Sequence, residues 1–388
     1  MSRLAYLDYN AGAPARTEVV AAMAEVLAEP GNPSSVHAAG RRARARLEAA
    51  RVAIAEMVGA VPAGVVFTSG GTEANNLVLR GCGRARLMVS AVEHASVREV
   101  PGVEIVPVDG DGVVDLAALE RMLAADQAPA LVSLMLANNE TGVIQPVAEA
   151  ARLAHAHGAL IHCDAAQGPG RQGVALSGRH GVALSVSLSH LDVDFLTLSA
   201  HKLGGPAGIG ALVAANPDFS LAPILLGGGQ ERRRRAGTES LAGIVGFGTA
   251  ARLIAGDGAA GERARELRDR LEAAVKARVP GAVVVGEAVA RLSNTSCVAL
   301  PGVPSQVQVM ALDLAAVAVS AGSACSSGKV GESAVLRAMG LPPNVAGSAI
   351  RVSLGWASTE EDVEMFLSAW CDLARRKGFE VRDAAQAA

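Results

Sequence analysis

The stretch Asp194-Phe195-Leu196-Thr197-Leu198-Ser199-Ala200-His201-Lys202-Leu203-Gly204-Gly205-Pro206 reads as a buried strand that runs into a turn of small and polar residues and carries one lysine at its tip. Only four lysines occur in the chain, Lys202, Lys276, Lys329 and Lys377, because arginine supplies nearly all the positive charge. Lys276 falls on an Arg-rich helical pattern and Lys377 near the tail, so Lys202 is the lysine set in apolar sequence. A desolvated lysine has a lowered pKa and a nucleophilic amine, although a lysine snorkelling from a strand end fits the same letters.

Working outward, short apolar runs with strand composition recur at 65–69, 87–91, 103–108, 130–137, 159–164, 195–200 and 209–214, with helical patterns such as 146–157 between several of them. Alternation of this kind predicts an α/β domain: a mostly parallel sheet covered by helices, with ligands beyond the carboxyl ends of the strands. A helical pattern over 241–277, interrupted around 256–261, leads to a second unit with strands at 282–286, 296–300, 316–320 and 350–354. Its last helix starts at Thr359 and repeats Val363, Phe366, Leu367 and Trp370 at helical spacing, which predicts a smaller α+β domain. The near-repeat Gly173-Val174-Ala175-Leu176-Ser177 and Gly181-Val182-Ala183-Leu184-Ser185 is too short for a repeat architecture and reads as a local duplication in a loop.

Composition narrows the function classes. Half of the 388 residues are hydrophobic and the net charge is -3, which suits a soluble globular protein without general attraction to nucleic acid or anionic membrane. No apolar run approaches the ~20 residues of a membrane span, and the N-terminus lacks a signal-peptide layout, so a cytoplasmic protein is expected. Five cysteines without a CxxC pair argue against a disulfide framework or a structural zinc site, and no metal is expected. Cys82, Cys163 and Cys371 sit in apolar segments and read as buried thiols; Cys325, inside Ser320-Ala321-Gly322-Ser323-Ala324-Cys325-Ser326-Ser327-Gly328-Lys329, reads as an accessible nucleophile.

The polar residues cluster at strand ends. Thr68-Ser69-Gly70-Gly71-Thr72-Glu73 passes from strand to helix, where backbone N–H groups suit a phosphate or simply a capped helix. It matches neither the Walker nor the GxGxxG pattern. His94 follows a strand and suits ring stacking or proton relay. Asp164 ends an apolar strand and needs a cation or donors, such as a pyridinium nitrogen or a helix start; Gln167 lies one turn on. Asn138-Asn139-Glu140 offers amides at the same end of the sheet, and Arg351 inside an apolar strand calls for a carboxylate, a substrate's or the protein's own. The segment from Gly227 to Thr238, with arginines at 232–235 and no interleaved aromatics, reads as an anion loop rather than a nucleic-acid patch.

As an ordered set these motifs resemble the cysteine desulfurases of the class V aminotransferase family, the nitrogen-fixation and iron–sulfur-cluster type. The resemblance runs from Tyr6-Leu7-Asp8 through Gly31-Asn32-Pro33-Ser34-Ser35, Glu93-His94, Asn138-Asn139-Glu140, Ser199-Ala200-His201-Lys202 and Gly227-Gly228-Gly229-Gln230-Glu231 to Ile350-Arg351-Val352-Ser353-Leu354-Gly355. It implies the fold type I of pyridoxal phosphate enzymes, with a large domain over 14–257 and a small one formed by 1–13 and 258–388. By the same resemblance Lys202 is the Schiff-base lysine, Asp164 pairs with the pyridinium nitrogen, Gln167 meets the ring hydroxyl and His94 stacks on the ring and manages thiol protons. Gly71, Thr72, Ser199 and His201 hold the phosphate, with Thr238 supplied by the partner subunit of a homodimer. Asn139 and Arg351 bind the carboxylate of L-cysteine, Cys325 takes its sulfur as a persulfide, and L-alanine leaves. A sulfur acceptor such as a cluster-assembly scaffold is then expected. A selenocysteine lyase or a transaminase-like relative is the alternative, and the thiol segment speaks against the transaminase. Three departures stand out: Tyr9 and Gly12-Ala13 in place of an asparagine and paired threonines, a longer segment between Gln167 and Lys202, and the basic run 232–235.

Overall fold

The computed structural model describes residues 3–171, 186–322 and 332–383; Cys325, Lys329 and the duplicated segment fall outside them. All seven strands expected in the first unit form one sheet. They are β2 (Val65–Thr68), β3 (Arg86–Ser90), β4 (Val103–Val106), β5 (Ala130–Ser133), β6 (Leu160–Asp164), β7 (Phe195–Ser199) and β8 (Gly210–Ala214), in the order β2-β8-β7-β6-β5-β3-β4. Only β8 runs antiparallel to its two neighbours. Strands β5 to β8 and β2 are buried on both faces, which explains their near-continuous apolar runs.

Helices cover both faces. On one, α1 (Thr17–Leu27) and α2 (Ala38–Val58) pack with the helix Leu241–Ile254 around Leu47, Ile54 and Phe247. On the other, α3 (Gly71–Gly81) buries Ala74, Leu77 and Val78 against Val66 and Leu212. Burying side chains of this size contributes about 1.5–3 kcal/mol each, against the entropy of ordering them.

The second unit carries an antiparallel sheet ordered β12-β13-β10-β9, from β9 (Val283–Val284), β10 (Thr295–Ala299), β12 (Ser320–Ala321) and β13 (Ala349–Ser353). The N-terminal β1 (Ala5–Tyr6) pairs in parallel with β11 (Val317–Ala318), and Asp8 bridges to Ser353. Two expected strands differ in extent. The run 316–320 splits into β11 and β12, since Ala316 enters at φ 58° and the two halves join different sheets. In the run 130–137 the named strand ends at Ser133, although Leu134 and Leu136 still donate to the His162 and Asp164 carbonyls, and beyond it Asn138 Oδ1 collects the N–H groups of Glu140 and Thr141 into a turn. The long helical pattern divides into Leu241–Ile254 and Gly258–Arg278.

The final helix, Glu360–Arg376, starts in a reciprocal capping box between Thr359 and Asp362. Val363, Phe366, Leu367 and Trp370 are fully buried, as their spacing predicts, and Trp370 Nε1 donates to Gln308 Oε1 at 2.9 Å. Among the described residues no helix is long and apolar enough to cross a membrane.

Candidate active site

The site lies where β6 and β7 end and α3 begins. The N-cap of α3, Gly70, offers no side-chain cap, so the first N–H groups of an eleven-residue helix are left to a ligand. A β-carbon on Gly71 would stand 3.5 Å from Thr197 and 3.6 Å from Ser199, which places the helix start directly on β7. Ser199 Oγ lies 3.0 Å from His201 Nδ1. Burial, then Lys202 and Arg171, lower the His201 pKa to about 4, so the ring is neutral near pH 7. With Ser199 donating to Nδ1, its own N–H sits at Nε2. Helix N–H groups, the Thr72 hydroxyl and the Nε2–H of a neutral imidazole make a donor set suited to a phosphate dianion.

Asp164 closes β6 and is buried. Its Oδ2 accepts from Asn75 Nδ2 at 2.8 Å, and its Oδ1 from the Ala166 N–H at 3.0 Å. Asn75 Nδ2 also reaches Ser96 Oγ at 2.9 Å, and Ser96 Oγ lies 2.8 Å from His94 Nδ1, so one chain of hydrogen bonds joins Asp164 to His94. Glu93 is buried beside them, with Oε1 accepting from the Met135 N–H at 2.6 Å and Oε2 unpartnered. Burial and the nearby Asp164 carboxylate push its pKa well above the usual range. Beneath Asp164, burial lowers the His162 pKa to about 4, and its ring is held between Ser133 Oγ at 2.9 Å and Thr197 Oγ1 at 3.0 Å.

Lys202 reaches back over the N-terminal segment. Its Nζ donates to the carbonyls of Asn10 at 2.6 Å and Ala11 at 2.9 Å, and Gln167 Nε2 donates to the same Asn10 carbonyl at 3.1 Å. Gln167 Oε1 is buried without a partner. Arg171 lies behind the lysine, with Nη2 donating to the carbonyls of Tyr9 at 2.9 Å and Lys202 at 3.2 Å. Burial, reinforced by Arg351, lowers its pKa to about 9.

Arg351 on β13 answers the question its sequence position raised. Nη2 donates to Asp8 Oδ1 at 2.8 Å and Nη1 to the Asn139 carbonyl at 3.0 Å, while Nε is buried and unpartnered. The protein's own carboxylate thus takes one of its nitrogens. Asn10 Nδ2 also donates to the Asn139 carbonyl, at 3.2 Å.

The fold therefore gathers Gly71, Thr72, Ser199 and His201 at the helix start, Asp164 and His94 in one hydrogen-bond chain, and Lys202 with Gln167 on one carbonyl. Thr238 is exposed and lines a surface cavity with Thr68, Ser69, Gly208 and Arg235. Within the basic run, Arg235 pairs with Glu73 at 2.9 Å, and Arg234 donates to the Pro217 carbonyl and stacks 3.9 Å over Phe219. Those guanidiniums are spent on their own chain because the loop folds back across β2. Sequence reasoning assigned no role to Asn10, Asn75, Glu93, Asp8, Glu140 or Arg171. Asp8, Glu93 and Glu140 stand inside the motifs quoted above; Asn75 lies two residues beyond one of them, and Arg171 carries no local signal.

A strand-end lysine, a buried carboxylate and an uncapped helix start beside Ser199 and His201 are residue types that would suit pyridoxal 5′-phosphate. The unpartnered Gln167 Oε1 and the open α3 N-terminus are places such a cofactor fits. Comparison with known proteins agrees: residues 5–366 match the family model for class V aminotransferases. The chain is 43% identical over 379 residues to a cysteine desulfurase of Cereibacter sphaeroides, covering 93% of each. It superimposes on a NifS-like protein from Rickettsia africae with TM-score 0.87 at 33% identity, covering 96% of this chain and 100% of that one. A third match is a structure described as SspA in complex with cysteine, at TM-score 0.75 and 27% identity, covering 91% and 99%. The chain belongs to the class V aminotransferase family and is a pyridoxal 5′-phosphate-dependent enzyme.

Proposed function

We propose that this enzyme is a cysteine desulfurase that converts L-cysteine to L-alanine and takes the sulfur onto Cys325. The observation that carries the reading is the convergence of Lys202 Nζ and Gln167 Nε2 on the Asn10 carbonyl, with Gln167 three residues beyond the buried Asp164 that ends β6. Bound there, the cofactor supplies an electron sink for charge released at the substrate Cα. The phosphate belongs to Gly71, Thr72, Ser199 and His201, the ring nitrogen to Asp164, the ring hydroxyl to Gln167, and the ring face to His94.

Asn75 fixes the direction of the Asp164 carboxylate, and its bond to Ser96 fixes His94 at the same time. Arg351 and Asn139 receive the substrate carboxylate, with the free Nε of Arg351 as the added donor. Lys202 holds the cofactor and moves the Cα proton at Nζ. The Cys325 thiolate attacks the substrate Sγ: an S–S bond forms, the Cβ–S bond breaks, and its electron pair stays with the carbon skeleton, which takes a proton and leaves as alanine. His94 manages the thiol protons.

The division into 14–257 and 1–13 with 258–388 is our assignment, supported by the pairing of β1 with β11. A homodimer is supported by strongly exposed apolar residues, Val36 at 87% and Leu226 at 83%, on the segments that flank Gly229 and Gln230. Thr238 then serves the partner's phosphate. A protein acceptor for the persulfide, feeding iron–sulfur cluster or related cofactor synthesis, completes the cycle. A reducing compartment such as the cytoplasm suits Cys82, Cys163, Cys297 and Cys371, which are free thiols.

The test is product analysis with L-cysteine. The wild type is expected to release alanine and, with a thiol reductant, sulfide in equal amounts, and Cys325→Ala to keep the cofactor absorbance and lose sulfide release. Undiminished sulfide from Cys325→Ala moves the nucleophile elsewhere.

A further inference from the structure

Glu140 stands apart from the chemistry just described, yet it lies under both ends of the Cys325-bearing segment. It is 6% exposed and follows Asn139, whose carbonyl holds Arg351. Its Oε2 accepts from Ser333 Oγ at 2.5 Å, and Ser333 is the N-cap of the short helix Ala334–Ala338, where the chain returns after the thiol segment. On the outgoing side, a β-carbon on Gly322 would overlap Glu140 Oε2 and stand 3.3 Å from Ser333 Cβ. The two stems therefore meet over one carboxyl oxygen, and only glycine allows the approach on the outgoing stem. Just before it, Ser320 Oγ donates to Asp8 Oδ2 at 2.7 Å, while Asp8 Oδ1 holds Arg351.

We propose that Glu140 is a positioning residue that fixes both anchor points of the Cys325-bearing segment against the substrate-carboxylate site, and so sets the reach of the thiol to the substrate sulfur. This rests on the reading of Cys325 as the sulfur acceptor. The physical argument is one of geometry. Thiol attack needs the two sulfurs near contact, and a misplacement of about 1 Å costs on the order of a hundredfold in rate. Glu140 belongs to the turn after β5, so it ties the stems to the rigid sheet that carries the cofactor site. Among the described residues it forms no salt bridge: its carboxylate accepts from the Ser333 hydroxyl and packs close against Gly322.

The experiment uses holoenzyme and two readouts. One is the affinity for L-alanine from the shift in cofactor absorbance, which reports the carboxylate site without the thiol. The other is the single-turnover rate at which Cys325 gains one sulfur in mass after mixing with L-cysteine. Glu140→Ala is expected to slow persulfide formation about tenfold or more and to leave alanine affinity within about threefold. Glu140→Gln, which still accepts from Ser333, is expected to recover most of the rate. Ser333→Ala should slow the same step, Ser333→Thr should not, and Glu140→Ala with Ser333→Ala should be no slower than Glu140→Ala alone. Should Glu140→Ala fail to fold, the Ser333 pair decides alone. The proposal is overturned if alanine affinity falls in step with the rate, if Glu140→Gln is as slow as Glu140→Ala, or if Ser333→Ala and Ser333→Thr behave alike. A wild type that gains no sulfur on Cys325 removes instead the reading beneath it.

Discussion

Two buried arginines divide the molecule into a closed region and an open one. Arg51, on α2 beneath β2, has every nitrogen partnered: Nη1 and Nη2 pair with Glu231 at 2.8 Å each, Nη1 also reaches the Val65 carbonyl, and Nε meets Glu48 at 3.0 Å. Glu231 accepts from the Phe67 N–H as well, at 2.9 Å. Arg351, equally buried, holds Asp8 through one nitrogen and leaves Nε without a partner. The first arrangement is finished without a ligand. The second leaves a desolvated donor unmet, a condition with a cost on the order of 1–3 kcal/mol, which in the proposed function a substrate carboxylate relieves.

That contrast sets the order of expected effects. The largest is Glu231→Ala, which strands a buried guanidinium and is expected to cost about 3–5 kcal/mol in unfolding experiments while leaving turnover per folded molecule unchanged. A large loss of turnover in the folded fraction would blur the division. Next comes Arg351→Lys, which keeps the charge and loses the fork: kcat/KM for L-cysteine is expected to fall about a hundredfold with stability altered by less than about 1 kcal/mol. A purely stability-linked loss would make Arg351 another closed pair.

The smallest sharpens the closed class. His162 is sealed between Ser133 and Thr197, and burial holds its pKa at about 4, below the ordinary 6.5. A lowered histidine pKa stabilises the fold above the unfolded value, and that stability is lost as pH falls from about 6.5 toward 4. His162→Gln is expected to remove on the order of 2 kcal/mol of this acid sensitivity, read from denaturant unfolding at pH 7 and pH 4.5. An unchanged pH dependence would mean the histidine is charged in the native state.

Much of this organisation was legible in the residues. Strands buried on both faces write themselves as apolar runs, and the sheet's carboxyl ends follow from their order, so the places of Lys202 and Asp164 at strand ends and of the start of α3 were legible in the residues. The 316–320 run was misread as one strand because its split depends on two partners far away in sequence. Asn10 and Arg171 escaped for a related reason. Their roles lie in contacts to backbone carbonyls across 192 and 162 residues, and a carbonyl has no letter in the sequence. Charge composition also does not show that Glu73 and the Pro217 carbonyl already hold Arg235 and Arg234.

Peptide mapping of the holoenzyme after borohydride reduction tests the central claim most directly. The account predicts a visible cofactor absorbance that disappears on reduction and leaves the cofactor covalently fixed to the peptide containing Lys202. A reconstituted wild type without that absorbance, or a label found on Lys276, Lys329 or Lys377, would contradict it.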